Sequence, residues 1–158
     1  MRFTLIKSLQ QDKSMRPILT GLLFFTLFYI LSDVLVKYLN FGVFPEAIKL
    51  TLFGNEEQYI DPLTKASFLE FWHAEIFFMM MILLTISAVF VRLAKHETFK
   101  IIVLNALMLS ALFSLVSLLL TFFVSKFFVF FYSFLFLIWH IIALCIIVYS
   151  LWKLYYDT

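Results

Sequence analysis

The sequence predicts an all-α integral membrane protein, a four-transmembrane-helix bundle with a short amphipathic interfacial helix in its first outward-facing loop. Three observations carry this. Hydrophobic residues make up 64% of the 158 and charged residues 14%, against about 45–50% and 25% in soluble domains. The run from Ile101 to Trp152 carries one formal charge, Lys126. It is too long for one crossing and right for two, since a helix needs about 20 apolar residues to cross a roughly 30 Å hydrocarbon core. Two more apolar runs precede it. Residues 1–158 therefore read as a single membrane domain with almost no polar mass left for a soluble one.

Met1 to Arg16 is polar, and the first span follows at about 17–38. It is longer than a signal-peptide core and lacks a small-residue cleavage pattern, so it is expected to be retained. Pro17 suits a first helical turn, where its missing N–H costs nothing. In the next loop Phe44, Ala47, Ile48 and Leu52 recur at helical spacing and Gly54-Asn55 makes a stop. Pro45 to Phe53 thus reads as an amphipathic helix on the outer membrane surface. Glu56, Glu57 and Asp61 lack the alternating-oxygen spacing of a calcium loop and read as solvated. Asp61-Pro62 reads as an N-cap followed by a helix-starting proline, giving a helix from near 62 whose membrane part is 72–91. The third span is 101–123. A turn around Ser125-Lys126 leads to the fourth, 129–152.

Orientation follows from the basic residues at each end. Arg2, Lys7, Lys13, Arg16, Arg92, Lys95, Lys100 and Lys153 lie on one side; Lys37, Lys49, Lys65 and Lys126 lie on the other. Positive-inside bias then places both termini in the cytoplasm, in what reads as a bacterial cytoplasmic membrane. Tyr149, Trp152, Tyr155 and Tyr156 would form the inner aromatic belt, and Tyr38, Tyr59 and Trp72 part of the outer one. The expected partners are the lipid bilayer and other membrane-protein subunits or a second copy. Nucleic acid is not among them, because no basic run is interleaved with stacking aromatics. Cys145 is the only cysteine, which excludes an internal disulfide and every two-cysteine motif.

Ionisable residues inside a span are costly, so each is a functional candidate. Asp33 and Lys37 are four apart on one helix face. Counting about 20 residues outward from Pro17 and from Val91 places Asp33 and Glu75 each about 5 Å below the outer boundary. The matched depths predict an outer-leaflet polar cluster of Asp33, Lys37, Glu70, His73 and Glu75, a candidate proton or ligand site. The plainer alternative is an Asp33–Lys37 ion pair with Glu70 and His73 solvated. His73 and Glu75, two residues apart, point nearly opposite ways and cannot chelate together.

Ser110, Ser114, Ser117 and Thr121 recur at spacings of four, three and four in the third span, and Ser133 shares a face with His140 in the fourth. Small hydroxylated residues let membrane helices approach and hydrogen-bond. These six read as a helix-packing seam in which His140 bonds a serine hydroxyl. The alternative makes His73 and His140 haem or metal ligands, for instance of a b-type haem. The same residue count places His140 on the order of 10 Å deeper than His73, which counts against a shared iron. No cofactor is favoured. Met79-Met80-Met81 suggests Cu(I), but three consecutive residues fan around the helix and cannot converge.

No nucleophile–base pair, phosphate loop or zinc signature is present, and the halves are not repeats, so the residues indicate no enzyme chemistry. The leading function is a non-catalytic accessory, assembly or anchoring subunit of a larger membrane complex. The alternatives are a haem- or metal-binding redox subunit using His73 or His140, and a small proton-coupled carrier using Asp33 and Glu75.

Overall fold

A computed structural model describes residues 15–156. Their long helices are α1 (Met15–Asn40), α3 (Lys65–Leu93), α4 (Glu97–Phe123) and α5 (Val129–Tyr156). Each is long and apolar enough to cross a membrane. A short helix, α2 (Pro45–Phe53), lies between α1 and α3. The basic residues at positions 2, 7 and 13 lie outside the described residues. Successive long helices run antiparallel, so the start of α1 and the end of α5 meet at one end, where Thr20 Oγ1 lies 3.0 Å from the Tyr155 hydroxyl. The α2 end is the opposite one.

Helix α5 is the axis of the bundle, touching α1, α2, α3 and α4; its pairing with α4 is the most extensive. Leu107, Ala111, Trp139, Ala143, Ile146 and Ile147 are buried in that seam and around it, together with Met79, Ile86 and Phe90 of α3. Apolar side chains on the outward faces, Phe25, Phe28, Leu84, Leu112 and Phe134 among them, are exposed. That is the expected pattern where hydrocarbon rather than water surrounds the bundle. Helix α1 is the most peripheral, with only Leu19, Leu23, Thr26, Ile30 and Lys37 buried.

The turn from α1 into α2 is tight. Gly42 adopts φ +92 and donates its N–H to the Lys37 carbonyl. A Cβ there would sit 2.8 Å from the Ile48 nitrogen, so a side chain is excluded. Helix α2 occupies the residues expected of it and stops at Gly54. Its apolar face, Ile48 and Leu52, turns into the bundle and packs with Phe41, Val43, Phe68, Leu118, Val129, Tyr132 and Phe136. It therefore closes one end of the bundle. Polar ties hold it there: Ser133 Oγ donates to the Val43 carbonyl at 2.6 Å, and Thr51 Oγ1 to the Phe41 carbonyl at 2.9 Å.

Two expectations are corrected. Asp61 is not the N-cap of the second long helix. Thr64 is, its hydroxyl accepting from the Ser67 N–H at 3.1 Å. Leu63 is held by its N–H to the Leu52 carbonyl, so the chain from Asp61 stays extended until it leaves α2. Nor does the serine stripe bond across the seam. Ser110 donates to the Ala106 carbonyl and Thr121 to the Ser117 carbonyl, both within α4. The hydroxyls of Ser114 and Ser150 are buried with no hydrogen-bond partner among the described residues. All four stripe residues of α4 are buried, so their small size, rather than cross-helix bonding, lets α4 and α5 approach. Replacing Ser114, fully buried, by Leu should overpack this seam and cost about 1–3 kcal/mol. Thermal unfolding in detergent reads this out; an unchanged midpoint would mean that the seam tolerates the added volume.

Candidate functional site

Four ionisable side chains from three helices meet inside the bundle. Lys37 of α1 is 4% exposed. Its Nζ donates to Asp33 Oδ2 at 3.0 Å and to Glu75 Oε1 of α3, and lies 4.8 Å from the centre of the Phe136 ring of α5. The three ammonium hydrogens thus face two carboxylates and one aromatic face, a full set of partners for a desolvated cation. The i,i+4 spacing presents Asp33 and Lys37 to the same neighbours.

His140 of α5 completes the network, and this is where the structure departs most from the sequence reading. Its Nε2 lies 3.1 Å from Asp33 Oδ2 and its Nδ1 lies 2.8 Å from the Phe136 carbonyl. It bonds no serine. The depth count misplaced it because α3 and α5 each exceed the length needed to cross a membrane, so the residue chosen as the boundary decides the answer. Counted from the helix starts, Glu75 is ten residues into α3 and His140 eleven into α5, about 15 and 17 Å along parallel axes. They are level.

Glu70 and His73 stay outside this network. Both are exposed, on the side of α3 away from the stripe Phe68, Met79, Leu83, Ile86 and Phe90 that faces the core. The expected five-residue cluster thus splits: Asp33, Lys37 and Glu75 come together, and His140 takes the place given to Glu70 and His73. His73 and His140 do not face one iron, since His73 is exposed and both ring nitrogens of His140 are engaged. Of the three methionines only Met79 is buried; Met80 and Met81 face outward. Trp72, assigned to an aromatic belt, instead reaches between α3 and α4 and donates from Nε1 to the Leu115 carbonyl at 3.0 Å.

The donor and acceptor count at His140 has a chemical consequence. The Phe136 carbonyl can only accept, so Nδ1 carries a hydrogen. Nε2 faces a carboxylate oxygen, and that contact is a hydrogen bond only if a proton lies between the two atoms. The pair is satisfied as imidazolium–carboxylate or as imidazole–carboxylic acid, and in either form it holds one proton beyond neutral imidazole and ionised carboxylate. With that proton the network of Asp33, Lys37, Glu75 and His140 is electrically neutral; without it the charge is −1. Of the neighbouring titratable groups, Tyr29 and Tyr132 come from α1 and α5, and α4 has none between Lys100 and Phe123.

A crevice of about 310 Å³ opens from the network to the bundle surface between α1 and α3, lined by Tyr29, Ser32, Asp33, Val36, Phe71, Ala74, Glu75 and Phe78. Asp33 and Glu75, each 13% exposed, are its charged residues. Residues 42–158 match a family model described as a transmembrane helical domain. No curated protein and no solved structure matches the chain. The match covers α2 to α5 with Glu75 and His140, while Asp33 and Lys37 of α1 precede it. With most of its length matched, the chain belongs to the Aq_1264_TM family of transmembrane helical domains.

Proposed function

We propose that this small polytopic membrane protein binds and releases a proton at the Asp33–Lys37–Glu75–His140 network, the working part of a proton-coupled carrier. The observation that carries the reading is His140, whose two ring nitrogens both face acceptors, so the network is built around an extra proton. Ionisable groups inside a span that face a bundle interior and pair with one another mark proton relays and substrate pathways. The basic-residue asymmetry, eight against four, supports a bacterial cytoplasmic membrane with both termini inside.

Infrared difference spectra of the protein in lipid nanodiscs test this. Acidification should raise a protonated-carboxyl C=O band where the proton rests on Asp33, or imidazolium ring bands where it rests on His140, and the band should be lost or displaced in Asp33→Asn, Glu75→Gln or His140→Gln. Variant spectra identical to the wild type would place the titrating groups elsewhere and overturn the reading. A second reading, a non-catalytic accessory subunit, has one observation in its favour. Only Ala94–His96 separates α3 from α4, and only residues 124–128 separate α4 from α5, so these two connections offer little surface outside the bilayer. A network with a fixed protonation state favours that reading.

A further inference from the structure

The crevice between α1 and α3 combines two features. Its walls are aromatic and aliphatic: Tyr29 and Phe78 stand with ring centres 6.1 Å apart, beside Phe71, Val36 and Ala74. Its charged residues are two carboxylates, Asp33 and Glu75. The cations that offset them lie deeper. Lys37 and His140 are 4% and 3% exposed at the side chain, and neither lines the crevice. A molecule entering laterally from the bilayer therefore meets aromatic faces and carboxylate oxygens first.

From this we infer that the crevice is a binding site for a small hydrophobic organic monocation, which takes the place of the network's proton. The inference rests on the proton-binding reading above and names the substrate class of the same site. Charge, ring faces and volume all favour such an occupant. Deprotonated, the network carries a charge of −1, and one positive charge restores neutrality in a place where uncompensated charge is costly. Aromatic faces attract cations, quaternary ammonium groups above all. A volume of about 310 Å³ is at the lower end of small-molecule sites, enough for one aromatic ring and a compact ammonium group. A zwitterionic lipid headgroup fits less well, because its phosphate would enter beside two carboxylates.

The exchange balances in charge. One cation enters as one proton leaves the His140–Asp33 pair, and the network stays neutral throughout. Acidification therefore weakens cation binding, by up to tenfold per pH unit where the proton and the cation exchange one for one.

Benzyltrimethylammonium is a suitable probe, since its ammonium has no N–H and recognition must come from charge and ring faces. Its carbon isostere neopentylbenzene is the uncharged control. In phosphatidylcholine nanodiscs the wild-type protein should bind the cation saturably and release a proton as it does so, and should not bind the isostere. Ala74→Leu, which fills the crevice without replacing an ionisable group, should lose cation binding while keeping the pH-dependent infrared band. That variant separates the two claims: the band without cation binding in the wild type would overturn the cation site and leave the proton site standing. Equal binding of the isostere, undiminished binding by Ala74→Leu, or loss of probe binding when phosphatidylethanolamine is added to the disc would each overturn the inference, the last by making lipid the occupant.

Discussion

Replacing Lys37 by Met should destabilise the bundle more than any other single change in the network, by about 3–5 kcal/mol. The methionine keeps most of the side-chain volume, so the loss is electrostatic. Asp33 and Glu75 would remain with one charged partner, His140, between them. The same change would loosen α1, which buries few side chains and meets α3 and α5 through this network. Thermal unfolding in detergent measures the cost. Combining Lys37→Met with Asp33→Asn and Glu75→Gln should recover much of it, because no unpaired charge is then left in the interior. Additive losses across the three changes would mean that the residues act independently.

Phe68→Ala should cost about as much, roughly 3–5 kcal/mol, through a different mechanism. Phe68 is fully buried at the start of α3, stacked on Phe122 with ring centres 4.1 Å apart. It belongs to the cluster that receives Ile48 and Leu52 of α2. Removing the ring leaves a cavity directly beneath that helix. Hydrogen exchange should accelerate across 45–53 while the amides of α4 and α5 near the other end stay protected. Uniform acceleration throughout the chain would show that α2 is not a separately seated cap.

The four long helices were legible because their apolar runs exceed what one membrane crossing requires, and no competing structure satisfies so much backbone in hydrocarbon. Helix α2 was legible from the spacing of Phe44, Ala47, Ile48 and Leu52. What covers its apolar face was not, since lipid and the end of a bundle make the same demand on the sequence. The polar network shows the same limit. Asp33 and Lys37 could be paired from their spacing alone. Whether Glu75 or His73 faced inward could not be read, because α3 is apolar on nearly every side and no polar face fixes its rotation. Ser133, on the same face as His140, did mark that face as buried. Its true partner, Asp33, is 107 positions away and becomes visible only when helix ends rather than assumed membrane boundaries set the level. One signal was available: two carboxylates inside spans at matched depth, with a single lysine beside them, call for a further cation.

The proton site requires the four side chains to be joined inside the bilayer, and solid-state NMR on the lipid-reconstituted protein tests this most directly. With lysine Nζ and histidine ring nitrogens labelled with ¹⁵N, and aspartate and glutamate side-chain carboxyls with ¹³C, Lys37 Nζ should show dipolar coupling to the carboxyl carbons of both Asp33 and Glu75. His140 Nε2 should couple to that of Asp33, with the Lys37 signals identified by their loss in Lys37→Arg. Couplings of Lys37 to Asp33 alone, with His140 coupled to no carboxyl, would contradict the network and reduce the site to a single ion pair within α1.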